Sequence, residues 1–162
     1  MDRFLFALPL LVLLALAGCE ASLADREKEA RAALDARSFS KAIELSQAAL
    51  SAPGAASDAA ASWRLEQIRL EALASEKQGK EIVLSLERLS GTNAAQVTPA
   101  LYRSLAGKLK AAGDTDGAIE VLAAGHERFP REHQGFLDDI DAIKQGKLDP
   151  AQIERLKALG YL

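Results

Sequence analysis

The chain predicts an all-α fold, and three observations carry that expectation. Of 162 residues 49% are apolar but only 5% aromatic, and alanine dominates the apolar share, which suits many closely packed helices better than a sheet sandwich. Apolar residues recur at helical spacing in segment after segment. The breaks between segments fall at Gly, Pro, Ser and Asp, residues that stop one helix and start the next. The length suffices for one domain with a real core. A formal net charge of -3 with both signs interspersed leaves no basic stripe to follow phosphates, so nucleic acid is not an expected partner.

Residues 1–18 differ from the rest. Arg3 precedes an apolar run from Phe4 to Ala17, interrupted by Pro9, which is short for a bilayer span and reads as a secretory signal. The run ends Leu16-Ala17-Gly18-Cys19, which resembles the bacterial lipobox: an aliphatic residue and two small ones before a cysteine. That resemblance implies a mature chain of residues 19–162 that begins at Cys19, with a diacylglycerol on its thiol. With Glu20 rather than Asp next, it also implies sorting to the outer membrane of a bacterial envelope, facing the periplasm. Cys19 is the sole cysteine, so the chain has no internal disulfide. Two other readings stay open: a conventional signal cut at the small-x-small site Ala15-Leu16-Ala17, and a retained anchor.

The first helix pair is expected over 23–53. Ala30, Ala33 and Leu34 give a small-residue stripe on one helix, and Phe39, Ala42, Ile43, Leu45, Ala49 and Leu50 a stronger one on the next. Ser51 to Asp58 is a loop by composition that ends in residues able to cap a helix. A second pair follows over 58–90, with Leu65, Ile68, Ala72 and Leu73 on one helix, Ile82, Leu86 and Leu89 on the other, and Lys77-Gln78-Gly79 as the turn.

The third pair, 98–130, has the fullest signal. Thr98 can cap free amides and Pro99 takes the first helical position, where its missing N–H costs nothing. Tyr102, Leu105, Ala106 and Leu109 recur at i, i+3, i+4 and i+7, so one stripe must be covered. Gly113 to Gly117 breaks the helix, and Ala118, Ile119, Val121, Leu122 and Gly125 supply the apolar face of a second that ends before Phe129-Pro130. A fourth pair over 133–160 has Phe136, Ile140 and Ile143 on one stripe. Its second helix starts at Leu148-Asp149-Pro150 with Gln152 able to reach back, and is expected to bury Ile153, Leu156 and Leu159.

The third pair resembles the tetratricopeptide repeat, a helix-turn-helix unit of about 34 residues with the pattern W-x2-L-G-x2-Y, A-x3-F, P. Tyr102 stands at the aromatic position, Leu105-Ala106 at the Leu-Gly pair, Ala118 at the small crossing residue, and Pro130 closes the unit; Leu109 and Leu122 replace aromatics. Phe39 to Pro53 is similar to the second half of such a unit, whereas Glu81 falls where the family has its small crossing residue. The resemblance implies a TPR-like α-solenoid of three to four antiparallel pairs whose first helices line a concave groove. In this chain that groove would carry Arg31, Trp63, Glu66, Leu70, Arg103 and Lys110, with Trp63 as an exposed anchor and Arg103 and Lys110 holding a peptide carboxylate.

Catalytic chemistry has no residues to name: the sequence holds no nucleophile elbow, phosphate loop, HExxH or paired-cysteine site. His126 and His133 stand seven apart, not at the i, i+4 spacing of a metal pair on one helix. Asp114 to Gly117 resembles a fragment of a calcium loop without its later ligands and is better explained as a turn. Asp138, Asp139 and Asp141 read as a solvated helix face. No cofactor is expected beyond the lipid on Cys19. The expected work is that of a protein-binding adaptor at the membrane, with a purely structural subunit of an envelope complex as the alternative.

Overall fold

A computed structural model describes residues 21–162; the expected signal segment, 1–18, and Cys19 lie outside the described residues. Among the described residues the regular structure is entirely helical. The elements are α1 (Leu23–Asp35), α2 (Phe39–Leu50), a short 3-10 turn (Ala55–Ser57), α3 (Ala59–Ser75), α4 (Gly79–Thr92), α5 (Pro99–Ala112), α6 (Thr115–Arg128), α7 (His133–Lys144) and α8 (Pro150–Ala158). No helix among them is long and apolar enough to cross a membrane.

The helix starts are written into the chain. Thr98 accepts a hydrogen bond from the Leu101 amide, Asp114 from Gly117 and Asp58 from Ala61, each satisfying an amide that has no partner inside its helix. Asp149 and Gln152 complete a reciprocal capping box ahead of α8, with Pro150 at its first turn.

Four helix ends share one device, the end of α8 at Gly160 and three that join successive helices. After α1, α3 and α5 the chain enters the left-handed region at Arg37 (φ 58°), Lys77 (φ 60°) and Gly113 (φ 86°). Each time the same two hydrogen bonds close the turn: Ser38 to Ala33, Gln78 to Leu73 and Asp114 to Leu109 span six residues, and a shorter bond nests inside each. The chain therefore reverses three times in one geometry, and α1–α2, α3–α4 and α5–α6 are hairpins.

Counted from these left-handed residues, Ala42, Ile82 and Ala118 occupy one position, five residues on, and all three are fully buried. Ile82, not Glu81, therefore takes the place of the small crossing residue, and Glu81 points to solvent. The larger side chain has a consequence: α3 and α4 touch less closely than α1 with α2 or α5 with α6. A polar seam lies between them, where the nearly buried Glu66 carboxylate accepts from Arg88 Nη2 at 2.6 Å and Arg69 Nη1 at 3.3 Å, while Arg69 also reaches Ser85.

The odd-numbered helices lie side by side, α1 on α3 and α3 on α5, and the even-numbered α4, α6 and α8 form a second row. α7 and α8, expected as a pair, both pack on α6 instead. The core has two compartments joined by α3. Ala30, Ala42, Ala49, Leu65, Ile68 and Ala72 form a small one around α1 and α2, and Leu70, Leu73 and Ala74 face a larger one built on α4 to α8. α3 is thus covered on both sides, not on the single stripe its apolar spacing suggests. In the larger compartment Tyr102 packs edge-on to Phe129 and Phe136, at 5.8 and 6.5 Å between ring centres. Of the apolar residues expected to be covered on α8, Leu156 is buried, Ile153 half-buried and Leu159 exposed.

Candidate functional site

The α5–α6 hairpin also organises the candidate site. α5 turns Tyr102, Leu105, Ala106 and Leu109 into the core, which leaves Arg103, Gly107 and Lys110 on the side toward α7. α7 buries Phe136, Ile140 and Ile143 and thereby presents Asp139 and Ala142 to α5. Arg103 and Asp139 meet across the gap in a two-bond ion pair, Nε to Oδ2 at 2.5 Å and Nη2 to Oδ1 at 3.2 Å. The Asp139 carboxylate raises the already high pKa of the Arg103 guanidinium, so the guanidinium keeps its charge at any ordinary pH.

This bridge divides a cleft in two. On one side lies a depression of about 190 Å³ floored by Ala106, Gly107, Leu122 and Ala142, with Lys110 at its margin. On the other a shallower one of about 500 Å³ runs between Thr98-Pro99 and Gln134-Gly135. The Arg103 guanidinium lies against Gly135, where a Cβ would stand 3.3 Å from its Nη1, so the bare backbone there gives the side chain its bed. Lys110 has no ion-pair partner among the described residues.

The six residues expected in a groove separate. Arg103 and Lys110 border the cleft, but Arg103 is already committed to Asp139, so the two cations do not act as a free clamp. Arg31 is on the same odd-helix face, where it pairs with Glu71 at 3.7 Å, and Glu71 in turn meets Lys108 at 2.9 Å. Leu70 is 1% exposed and belongs to the core, because α3 is covered on two sides. Glu66 is drawn into the α3–α4 seam by two arginines. Trp63 is half-buried against the larger core compartment, so it is no exposed anchor.

Other candidates resolve structurally. Asp114 is the cap of α6 and not part of a calcium loop. His126 Nδ1 lies 2.8 Å from the Tyr161 hydroxyl, which ties the tail after α8 back onto α6, and His133 Nδ1 lies 2.9 Å from the carbonyl of nearby Pro130. Among the described residues no group of three or more His, Cys, Asp or Glu is placed to hold a metal ion. Asp139 was hidden in the sequence, since its partner is 36 residues away and nothing local separates it from Asp138 and Asp141. The apolar pair Val83-Leu84, off the Ile82-Leu86-Leu89 stripe, was a visible signal of a second apolar face on α4. No protein-family model, curated protein or solved structure matches this chain.

Proposed function

We propose that this chain is a lipid-anchored adaptor of the tetratricopeptide-repeat type in a bacterial envelope, holding an extended segment of a protein partner in the α5–α7 cleft. The cleft supports this reading most directly. Its floor is low, with Ala106, Gly107 and Ala142 beside the single larger side chain of Leu122, so an extended main chain can approach closely. The Arg103–Asp139 pair supplies a fixed donor and acceptor midway along it. Lys110 offers a carboxylate of the partner its charge, while the short surface keeps affinity modest unless contacts are repeated. The three identical hairpin turns and the small residues at Ala42 and Ala118 support the repeat assignment. Leu16-Ala17-Gly18-Cys19 supports acylation at Cys19, and Glu20 in place of Asp after it supports an outer-membrane address.

A photo-crosslinking residue in place of Ala142, introduced in the full chain in its native envelope, should capture one defined protein. The same residue at Ala48, exposed on α2, should not, and Lys110→Glu should abolish capture at Ala142. Equal capture from both positions, or capture indifferent to Lys110→Glu, overturns the assignment of the cleft. Mass spectrometry of the mature amino terminus tests the anchor: an unlipidated product, or one that starts elsewhere than Cys19, removes it. The alternative of a structural subunit is favoured by a different observation, the apolar stretch exposed along the even-numbered helices.

A further inference from the structure

The large apolar residues most open to water among the described residues are Leu84 at 57%, Leu162 at 57% and Leu159 at 37%. Two of them, Leu84 on α4 and Leu159 just after α8, form opposite walls of one groove of about 420 Å³. Its floor is the low surface of α6, where Ala123 and Ala124 bring no bulk. This face is separate from the α5–α7 cleft and does not depend on what that cleft binds.

The outer stripe of α4 reads Lys80, Val83, Leu84, Glu87, an i, i+3, i+4, i+7 pattern with opposite charges at its two ends. Such a stripe is complementary to itself when reversed. A two-fold axis passing between Val83 and Leu84 sets Lys80 of one copy against Glu87 of the other, twice, and sets Val83 against Leu84, also twice. Each copy's Leu84 ridge then lies over the other's alanine floor, with Leu159 as the far wall. Among the charged groups lining the groove, Arg155 is already paired with Glu120, while Lys80 and Glu127 have no ion-pair partner among the described residues.

We propose that two copies of this chain associate through an antiparallel α4–α4 contact, each inserting Leu84 into the α4–α6–α8 groove of the other. The occupant is a second copy because the charge order along the stripe is matched by its own reversal. A partner helix of another protein would need that same order by coincidence.

Native mass spectrometry of the full-length chain released from detergent micelles tests this, with circular dichroism to confirm that each variant stays helical. Wild type should appear at twice the chain mass. Leu84→Asp should be a monomer; Leu84 is largely exposed, so the change leaves the core intact. Lys80→Glu alone and Glu87→Lys alone each place two like-charge pairs across the interface and should weaken association about a hundredfold. An isotope-labelled Lys80→Glu chain mixed with an unlabelled Glu87→Lys chain should restore dimers of mixed mass, since both charge contacts are then attractive. A monomeric wild type, as expected if a foreign helix fills the groove, overturns the proposal. So does a Leu84→Asp chain that remains dimeric, or a mixture that yields no mixed dimer.

Discussion

Gly79 at the start of α4 rests directly on the backbone of Gly117 at the start of α6. A Cβ built on Gly79 would fall inside contact distance of the Gly117 Cα, so two helices meet here with no side chain between them. Gly79→Ala must push α4 off α6 and should cost about 2 kcal/mol of unfolding free energy, in the range of overpacked cores. Gly125→Ala should cost as much, because its Cβ would collide with the Phe136 ring. Gly107→Ala is the control: it is exposed in the middle of α5 with nothing within 4 Å, and it should stabilise the chain by about 0.5–1 kcal/mol. Urea unfolding of the three variants checks the contrast, and an equal effect at all three would contradict it.

The left-handed turns give a second expectation. Arg37 and Lys77 carry side chains at φ 58° and 60°, a conformation that glycine adopts without strain, as Gly113 does in the third turn. Arg37→Gly and Lys77→Gly should each hold or raise stability by up to about 1 kcal/mol, against the usual loss when glycine is introduced. A fall of the unfolding midpoint in both would show that the side chains contribute more than the backbone strain costs.

Glu66 is the most sensitive polar position. Its carboxylate is 5% exposed and answers two arginines, one of which, Arg69, is itself mostly covered and has a buried Nε without a hydrogen-bond partner. Glu66→Ala leaves Arg69 charged and uncompensated and should cost about 3 kcal/mol. Arg88→Ala, which removes the more exposed partner, should cost about 1 kcal/mol. Chemical unfolding of the two variants orders them, and a milder effect at Glu66 than at Arg88 would contradict this account.

Both tyrosines bear on alkaline stability. Burial pushes the Tyr102 phenol above its ordinary 10.0, and burial with Glu127 nearby does the same for Tyr161. A group whose folded pKa is raised holds its proton longer in the folded state, so stability is fully present below pH 10.0 and falls as pH rises through the raised values. Thermal unfolding followed across this range should show a decline that Tyr102→Phe reduces. Phenolate absorbance should lag behind that of free tyrosine until unfolding begins.

What the sequence disclosed follows from how local each determinant is. The starts of α5 and α8 are legible because Thr98 and Asp149 act on amides three residues away. The register of α4 was not, because its turn relies on Lys77, whose side chain carries no sign that its backbone is left-handed. Leu70 and Glu66 were misplaced for another reason: helical spacing marks a stripe but assumes one covered face, and α3 is buried from two directions. Within the candidate site Arg103 and Lys110 were accessible to pattern reading. Asp139 and the glycine bed at Gly135 depend on the packing of α5 beside α7, which no local pattern encodes.

The division of the core at α3 implies uneven resistance along the molecule. α1 and α2 hold to the rest chiefly through α3 and share a compartment made largely of alanine, which buries less area per residue than the leucine- and aromatic-rich remainder. Amide hydrogens of α1 and α2 should therefore exchange with solvent long before those of α5 and α6. A pull applied at the amino end would peel the first hairpin away while α5, α6 and α7 stay folded.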